Sequence, residues 1–237
     1  MYKRQRLYAD SSLSSDELCY KIINMLELYG VSPLDIEAVI LASVVPVLTG
    51  RLREALQKMT QASIMEVGPG LKSGVRIRMD NPAQLGAELL CATVGARRLH
   101  APPLLVMNLD TAMTLLAVDA EGSLVGGVIL PGPQLSLEAL VKNTARLPQV
   151  ELEAAPRRLL GANTVDCLRS GMVFGTAATL DAMAAKIRAA LHAPDAPVVA
   201  TGILPASIRD ACDTPVEYRE TLILDGLFAI WQRNARK

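Results

Sequence analysis

Paired cysteines are missing from this chain. Its four cysteines, Cys19, Cys91, Cys167 and Cys212, lie far apart and show no metal-site or disulfide spacing. That excludes a zinc finger or a disulfide framework and fits buried, reduced thiols of a cytosolic protein. An excess of charge is missing too. Lys and Arg total 24, as do Asp and Glu, so bulk charge drives the chain neither to nucleic acid nor to a membrane surface. A membrane-spanning run is absent as well, because the longest uncharged stretch, Gly122 to Leu137, is broken by Pro131 and Pro133. No signal peptide is visible. Histidine is scarce, and His100 and His192 both read as helix-end residues. What is abundant is apolar surface: 51% of the 237 residues are hydrophobic, enough for one large domain or two small ones with a sizeable core.

The most informative stretch runs from Leu104 to Thr114. Leu104-Leu105-Val106-Met107 reads as a buried strand. It breaks at Asn108-Leu109-Asp110-Thr111, and a second strand follows at Leu115-Leu116-Ala117-Val118. After a turn at Asp119-Ala120-Glu121-Gly122, a third strand runs from Ser123 to Leu130. Hydroxyls and free N–H groups delivered to a tight turn can cradle a phosphate. The competing reading is a polar hairpin at a sheet edge.

Elsewhere strands and helices alternate. Ser14 and Glu17 form a capping box, opening a helix with Leu18, Ile22, Met25, Leu26 and Tyr29 on one face and Gly30 at its end. The run 39–44 predicts a buried central strand closed by Pro46, and a helix follows to about Met59. A strand over 64–67 ends at Gly68-Pro69-Gly70. Asn81-Pro82 starts a helix expected to reach about His100. Helical patterns cover 134–143 and 164–191, a strand covers 197–202, an extended segment covers 216–218, and a last helix spans about 222–234. Met residues and Trp231 read as packing. Alternation of this kind predicts an α/β fold with a partly parallel sheet. A basic start, residues 1–6, fits no element, and residues 7–9 suggest the stub of a strand.

Several short motifs occur in a specific order: Ala42-Ser43-Val44-Val45-Pro46, then Val67-Gly68-Pro69-Gly70-Leu71-Lys72-Ser73-Gly74, Asp80-Asn81-Pro82 and Leu85-Gly86-Ala87. Further on come Gly126-Gly127 to Pro131-Gly132, Thr144-Ala145-Arg146-Leu147-Pro148, Asn163-Thr164-Val165, Ser170-Gly171 and Ala200-Thr201-Gly202. With these motifs the chain, from about Arg6 to Asn234, resembles the type III pantothenate kinases of the acetate and sugar kinase/Hsp70/actin superfamily. The resemblance implies two RNase H-like halves with mixed sheets flanked by helices, here 1–103 and 104–237, with ATP in the cleft between them. It implies transfer of the γ-phosphoryl of ATP to the 4′-hydroxyl of pantothenate, the first step of coenzyme A synthesis, by a cytoplasmic homodimer. Mg2+ and a monovalent cation, K+ or NH4+, are implied with it. Carried over by motif, Gly86, Ala87 and Thr164 fall on the substrate side. Thr111, Thr114, Thr201 and Gly202 fall on the ATP side. Lys72 and Arg146 match positions facing substrate or the dimer partner, or are plain surface charge.

Three departures from the family pattern shape the expectations. The family's opening Asp-x-Gly-Asn-Thr hairpin has no counterpart here, so the first half is expected to lack it, as a truncated chain would. The family's Gly-Ala-Asp-Arg reads Gly86-Ala87-Glu88-Leu89, which makes Glu88 the candidate base, longer than Asp by one bond of about 1.5 Å, and puts Leu89 where an Arg would hold substrate; Met79 replaces a Tyr nearby. The second phosphate loop, Asp-x-Gly-Thr-Ala-x-Thr, reads Asn108-Leu109-Asp110-Thr111-Ala112-Met113-Thr114. The metal positions are then Asn108 and Asp110, the second bringing a charge where a Gly would let phosphate approach. One alternative is a catalytically inactive relative that acts by binding, paired with an active paralogue or sensing a ligand. Another is a kinase with a pocket remodelled for a different substrate.

Overall fold

The computed structural model describes residues 12–235, so the segments 1–6 and 7–9 discussed above lie outside the described residues. The capping box forms as expected. Glu17 Oε2 accepts from both Ser14 N and Ser14 Oγ at 2.8 Å, and opens α1, Ser15–Leu28. α1 packs on α2, Pro46–Met59, and Lys58 of α2 reaches Asp16 at 2.6 Å. Packed chiefly on α2 among the described residues, α1 buries only Leu18 of its expected apolar face, and Tyr29 stays 47% exposed.

Among the described residues β1, Ala38–Leu41, and β2, Ser63–Glu66, form a two-stranded parallel sheet with α2 as the crossover. The 39–44 run is therefore not a buried central strand. It is shorter, and every residue of β1 is only half-buried, because among the described residues β1 has a single neighbour.

The larger sheet has six strands in the order β3-β6-β5-β4-β7-β8. β4, Leu104–Leu109, β5, Ala112–Val118, and β6, Ser123–Pro131, are an antiparallel meander. β7, Val198–Gly202, runs parallel to β4, and β8, Val216–Tyr218, parallel to β7. A meander followed by two parallel strands on its first strand is the RNase H-like arrangement the resemblance implies. β3, Arg76–Ile77, was not legible in sequence; it crosses over to add a parallel edge to β6. All six residues of β4 are buried, so the hairpin it makes with β5 stands at the sheet's middle and not at an edge.

Alternation along β4 sorts the two cores. Leu105, Met107 and Leu109 face Val173, Ala177 and Leu180 of α5, Thr164–Ala190. Leu104 and Val106 face Ala92 and Ala96 of α3, Ala87–Leu99, together with Leu222 of α7, Leu222–Ala235. α3 and α7 touch backbone to backbone: a Cβ at Gly95 would sit 2.3 Å from Leu222 O, and one at Gly226 would sit 1.8 Å from Cys91 O.

The helix expected from Asn81 to His100 is two pieces. Asn81 Oδ1 accepts from Ala83 N at 3.2 Å and caps a single 3-10 turn, Pro82–Gln84. Leu85 and Gly86 then extend, with ψ of 120° and 137°, before α3 begins. α4, Pro133–Lys142, follows the Pro131-Gly132-Pro133 break with Pro133 in its first turn. α6, Ala206–Arg209, is a single turn after β7. The four cysteines are free, but only Cys91 is buried; Cys167 is exposed and the other two are half-buried. The histidines do sit at helix ends, His100 as the cap of α3 and His192 just beyond α5.

Candidate phosphate cleft and its base

Parallel strands offer ligand sites outside their carboxyl ends. β4 and β7 end together, Leu109 opposite Gly202. One residue earlier, the register aligns Thr114 of β5, Asn108 of β4 and Thr201 of β7 in a single row. All three share the α3-facing side with Val106, Leu116 and Val199, since register partners point the same way and the period is two. The apolar face of the sheet thus turns polar at its top. Asn108, Thr114 and Thr201 are each buried, and the Thr201 hydroxyl has no hydrogen-bond partner among the described residues. A buried donor without a partner costs free energy unless something else meets it.

Above the row lies the two-residue turn Asp110-Thr111, both exposed. Asp110 Oδ1 accepts from Thr111 N at 2.8 Å, which pins the turn. Two backbones close on it. Gly132 N donates to Thr111 O at 2.8 Å, and a Cβ at Gly132 would lie 2.3 Å from Asp110 O. Gly202, at φ +112°, lies against Leu109, and Ile203 N donates to Leu109 O at 2.6 Å. The Tyr218 hydroxyl donates to Gly202 O and holds this turn from below. The resulting cavity is about 360 Å³ and is lined by Asp110, Thr111, Gln134, Glu138, Glu153 and Ile203, among others. Glu138 and Glu153 carried no motif in the sequence. Only the start of α4 at Pro133 and the path of the 143–163 segment bring them here.

Outside this cavity, but within reach of the charge of Asp110, is the N-terminus of α3. Gly86 is its cap, Ala87 its first residue and Glu88 its second. Leu89 N and Leu90 N both reach Gly86 O, at 3.0 and 3.1 Å, and the helix end carries a partial positive charge. Desolvation on the protein side raises the Glu88 carboxyl above the ordinary carboxylate range, and the charge of Asp110 raises it further. Burial, with help from Glu88, pushes the Cys91 thiol up to about 12, so it is a neutral packing group. The structure thus brings together Gly86, Ala87, Glu88, Asn108, Asp110, Thr111, Thr114, Thr201 and Gly202. Leu89 packs against the sheet beside Met79, which gives this wall an apolar surface. Thr164 stands apart, exposed at the first residue of α5. Lys72 and Arg146 are exposed as well.

Comparison with known proteins places this fold in a family. The sequence profile of the family described as type III pantothenate kinase matches residues 1–186. A type III pantothenate kinase of Rhodospirillum centenum is 36% identical over 236 residues, covering 98% of this chain and 90% of that protein. One of Rubrobacter xylanophilus is also 36% identical over 236 residues, covering 98% and 89%. Among solved structures, a Campylobacter jejuni protein described as a Baf family transcriptional activator shares the fold, with a TM-score of 0.55 and 20% identity over 91% of this chain and 89% of that one. By sequence over nearly its whole length, and by the fold that carries its motifs, the chain belongs to the type III pantothenate kinase family.

Proposed function

We propose that this protein transfers the γ-phosphoryl of ATP to the 4′-hydroxyl of pantothenate in the cleft between the β4–β5 turn and the start of α3. The observation that carries the reading is the placement of Glu88, in the first turn of α3, close enough to the β4–β5 turn for the charge of Asp110 to add to desolvation in raising its carboxyl. In this reading Glu88 accepts the proton of the attacking hydroxyl. A base works best with a pKa lifted towards the working pH. In this reading the β4–β5 turn and the Gly202 turn face the phosphates, and the Thr201 hydroxyl, unpartnered among the described residues, is the donor on the nucleotide side. Phosphoryl transfer needs positioning and charge neutralisation more than covalent chemistry.

Mg2+ is bound by one or two carboxylates plus substrate phosphates. Asp110 and Glu138, on the walls of one cavity, fit that requirement. Asn108 is buried in the sheet, so we assign the metal-facing role to Asp110. When bound, the ion neutralises charge on the phosphoryl oxygens. The need for K+ or NH4+ rests on the resemblance alone. We assign the phosphate turns to a half spanning 104–237 and the base to one spanning 1–103. We place the protein in the cytoplasm, with its substrate; no described helix is long and apolar enough to cross a membrane. We also propose a homodimer. Its support is an exposed apolar group flanking the start of α5: Leu159, Leu160 and Val165, with Leu135 and Leu140 of α4.

The test is a coupled assay of the purified chain with ATP, Mg2+, K+ and pantothenate, with the product identified by mass. Formation of 4′-phosphopantothenate by the wild type and its loss in Glu88→Gln are expected. ATP binding without any product would instead favour the binding-only alternative.

A further inference from the structure

We infer that the cavity between the C-terminal ends of α3 and α7 is a second, non-catalytic site that binds a small phosphate-bearing anion through a cluster of three arginines. The cavity is about 560 Å³, and Arg97, Arg98, Arg233, Ser73 and Gln232 line it with no carboxylate among its walls. It is remote from the cleft. Arg97 stands nine residues beyond Glu88 on α3, about 14 Å along the helix axis.

Among the described residues none of the three guanidinium groups pairs with an Asp or Glu, and Asp119, in the same turn as Gly122, is already held by Arg78. Arg97 Nη1 donates to Gly74 O at 2.9 Å, and its Nη2 would stand 2.7 Å from a Cβ on Gly122. Its Nε is buried with no hydrogen-bond partner. Arg98 Nη1 reaches Gln232 Oε1 at 3.3 Å. The Arg233 guanidinium lies so close over Gly74 that a Cβ there would be 2.5 Å from Cζ.

The plain alternative is that these arginines complement the negative ends of α3 and α7, where they sit in the last turns. That accounts for three positive charges near two helix ends. It does not account for a buried Nε left unmet, nor for an Arg97 that bonds Gly74 instead of its own helix. Like charges gathered in a concave, partly desolvated wall repel each other and focus positive potential outward. A phosphate group supplies the counter-charge that relieves this repulsion, since guanidinium forks match its oxygens in bidentate geometry.

The test uses the full chain and needs no turnover. Inorganic phosphate, pyrophosphate and glycerol phosphate are each titrated by calorimetry at fixed ionic strength, into wild type, Arg97→Gln, the double variant Arg98→Gln/Arg233→Gln, and Thr201→Val. At least one phosphate compound should bind the wild type. Its affinity should fall tenfold or more in the arginine variants and stay within twofold in Thr201→Val. Equal affinity for all three compounds identifies free phosphate as sufficient; tighter binding of glycerol phosphate identifies an organic phosphate. Arg97→Gln alone could unfold the chain, so its circular dichroism is checked and the rim double variant serves as the independent arm. Phosphate binding that keeps its full affinity and stoichiometry in the folded arginine variants, that fails in Thr201→Val, or that is absent from the wild type would overturn the inference. Loss of kinase activity with this binding intact would bear on the cleft alone.

Discussion

Glu88, in the first turn of α3, lies within charge–charge reach of Asp110 on the β4–β5 hairpin. Desolvation first, and then this like charge, hold the Glu88 proton more tightly than usual. A general base must be ionised to act, so kcat/KM should rise with pH through this raised pKa. Asp110→Asn removes the repulsion and should move the acid limb to lower pH, whatever it does to the maximal rate. Glu88→Gln should lower kcat by about 10²–10⁴. A pH–rate profile checks both, and an acid limb that stays in place in Asp110→Asn would sever the two residues.

Thr201→Val should stabilise the fold while weakening nucleotide use. The substitution is near-isosteric and removes a buried hydroxyl that nothing among the described residues meets. An unmet buried polar group costs about 1–3 kcal/mol, and about 1 kcal/mol moves the melting point of a chain this size by ~2–4 °C. Scanning fluorimetry should show a higher Tm for the variant without ATP, alongside a raised KM for ATP. A lower Tm would mean the hydroxyl is satisfied in solution.

Asp181 ties α5 to the turn before β8. Burial opposes its ionisation. The N–H groups of Asp213 and Thr214, at 2.9 and 2.8 Å, outweigh burial and hold its carboxyl below the ordinary range. A folded pKa below the unfolded one gives stability that is present above the unfolded value and lost as pH falls through the folded value. Asp181→Asn should therefore cost about 1 kcal/mol at pH 7, after allowance for partial exposure. The gap from wild type should narrow towards pH 3, as followed by urea denaturation.

Sedimentation equilibrium should give about 51 kDa, twice the 25.4 kDa chain. Leu160, 81% exposed beside Leu159, is the residue to probe. Leu160→Asp should yield a monomer with an unchanged far-ultraviolet spectrum, because nothing in the monomer's core depends on it. A wild-type monomer would remove the homodimer from the functional reading.

The second half was legible because its signals are local. The apolar run Leu104–Met107, the turn residues and Pro131-Gly132-Pro133 each announce themselves within a few positions. The run 39–44 misled because an apolar strand does not say how many neighbours it has. The break before α3 was hidden because Asn81-Pro82 is a genuine start signal, and it caps only one turn. Asn108, Thr114 and Thr201 were each singled out by motif, yet that they form one row depends on strand register. Glu138 and Glu153 gave no sign at all; their place follows from how α4 and the loop after it pack.

The backbone contact between α3 and α7 sets an order of assembly. Gly95 and Gly226 let the helix bearing Glu88 lie directly on the last described helix. Chains emerge from the ribosome from the N-terminus, and units fold as they complete. α3 gains its full support only after some hundred and thirty further residues have been made, on the order of 10 s at typical synthesis rates. Synthesis that stalls before Leu222 would leave the phosphate turns in place and the base without its buttress.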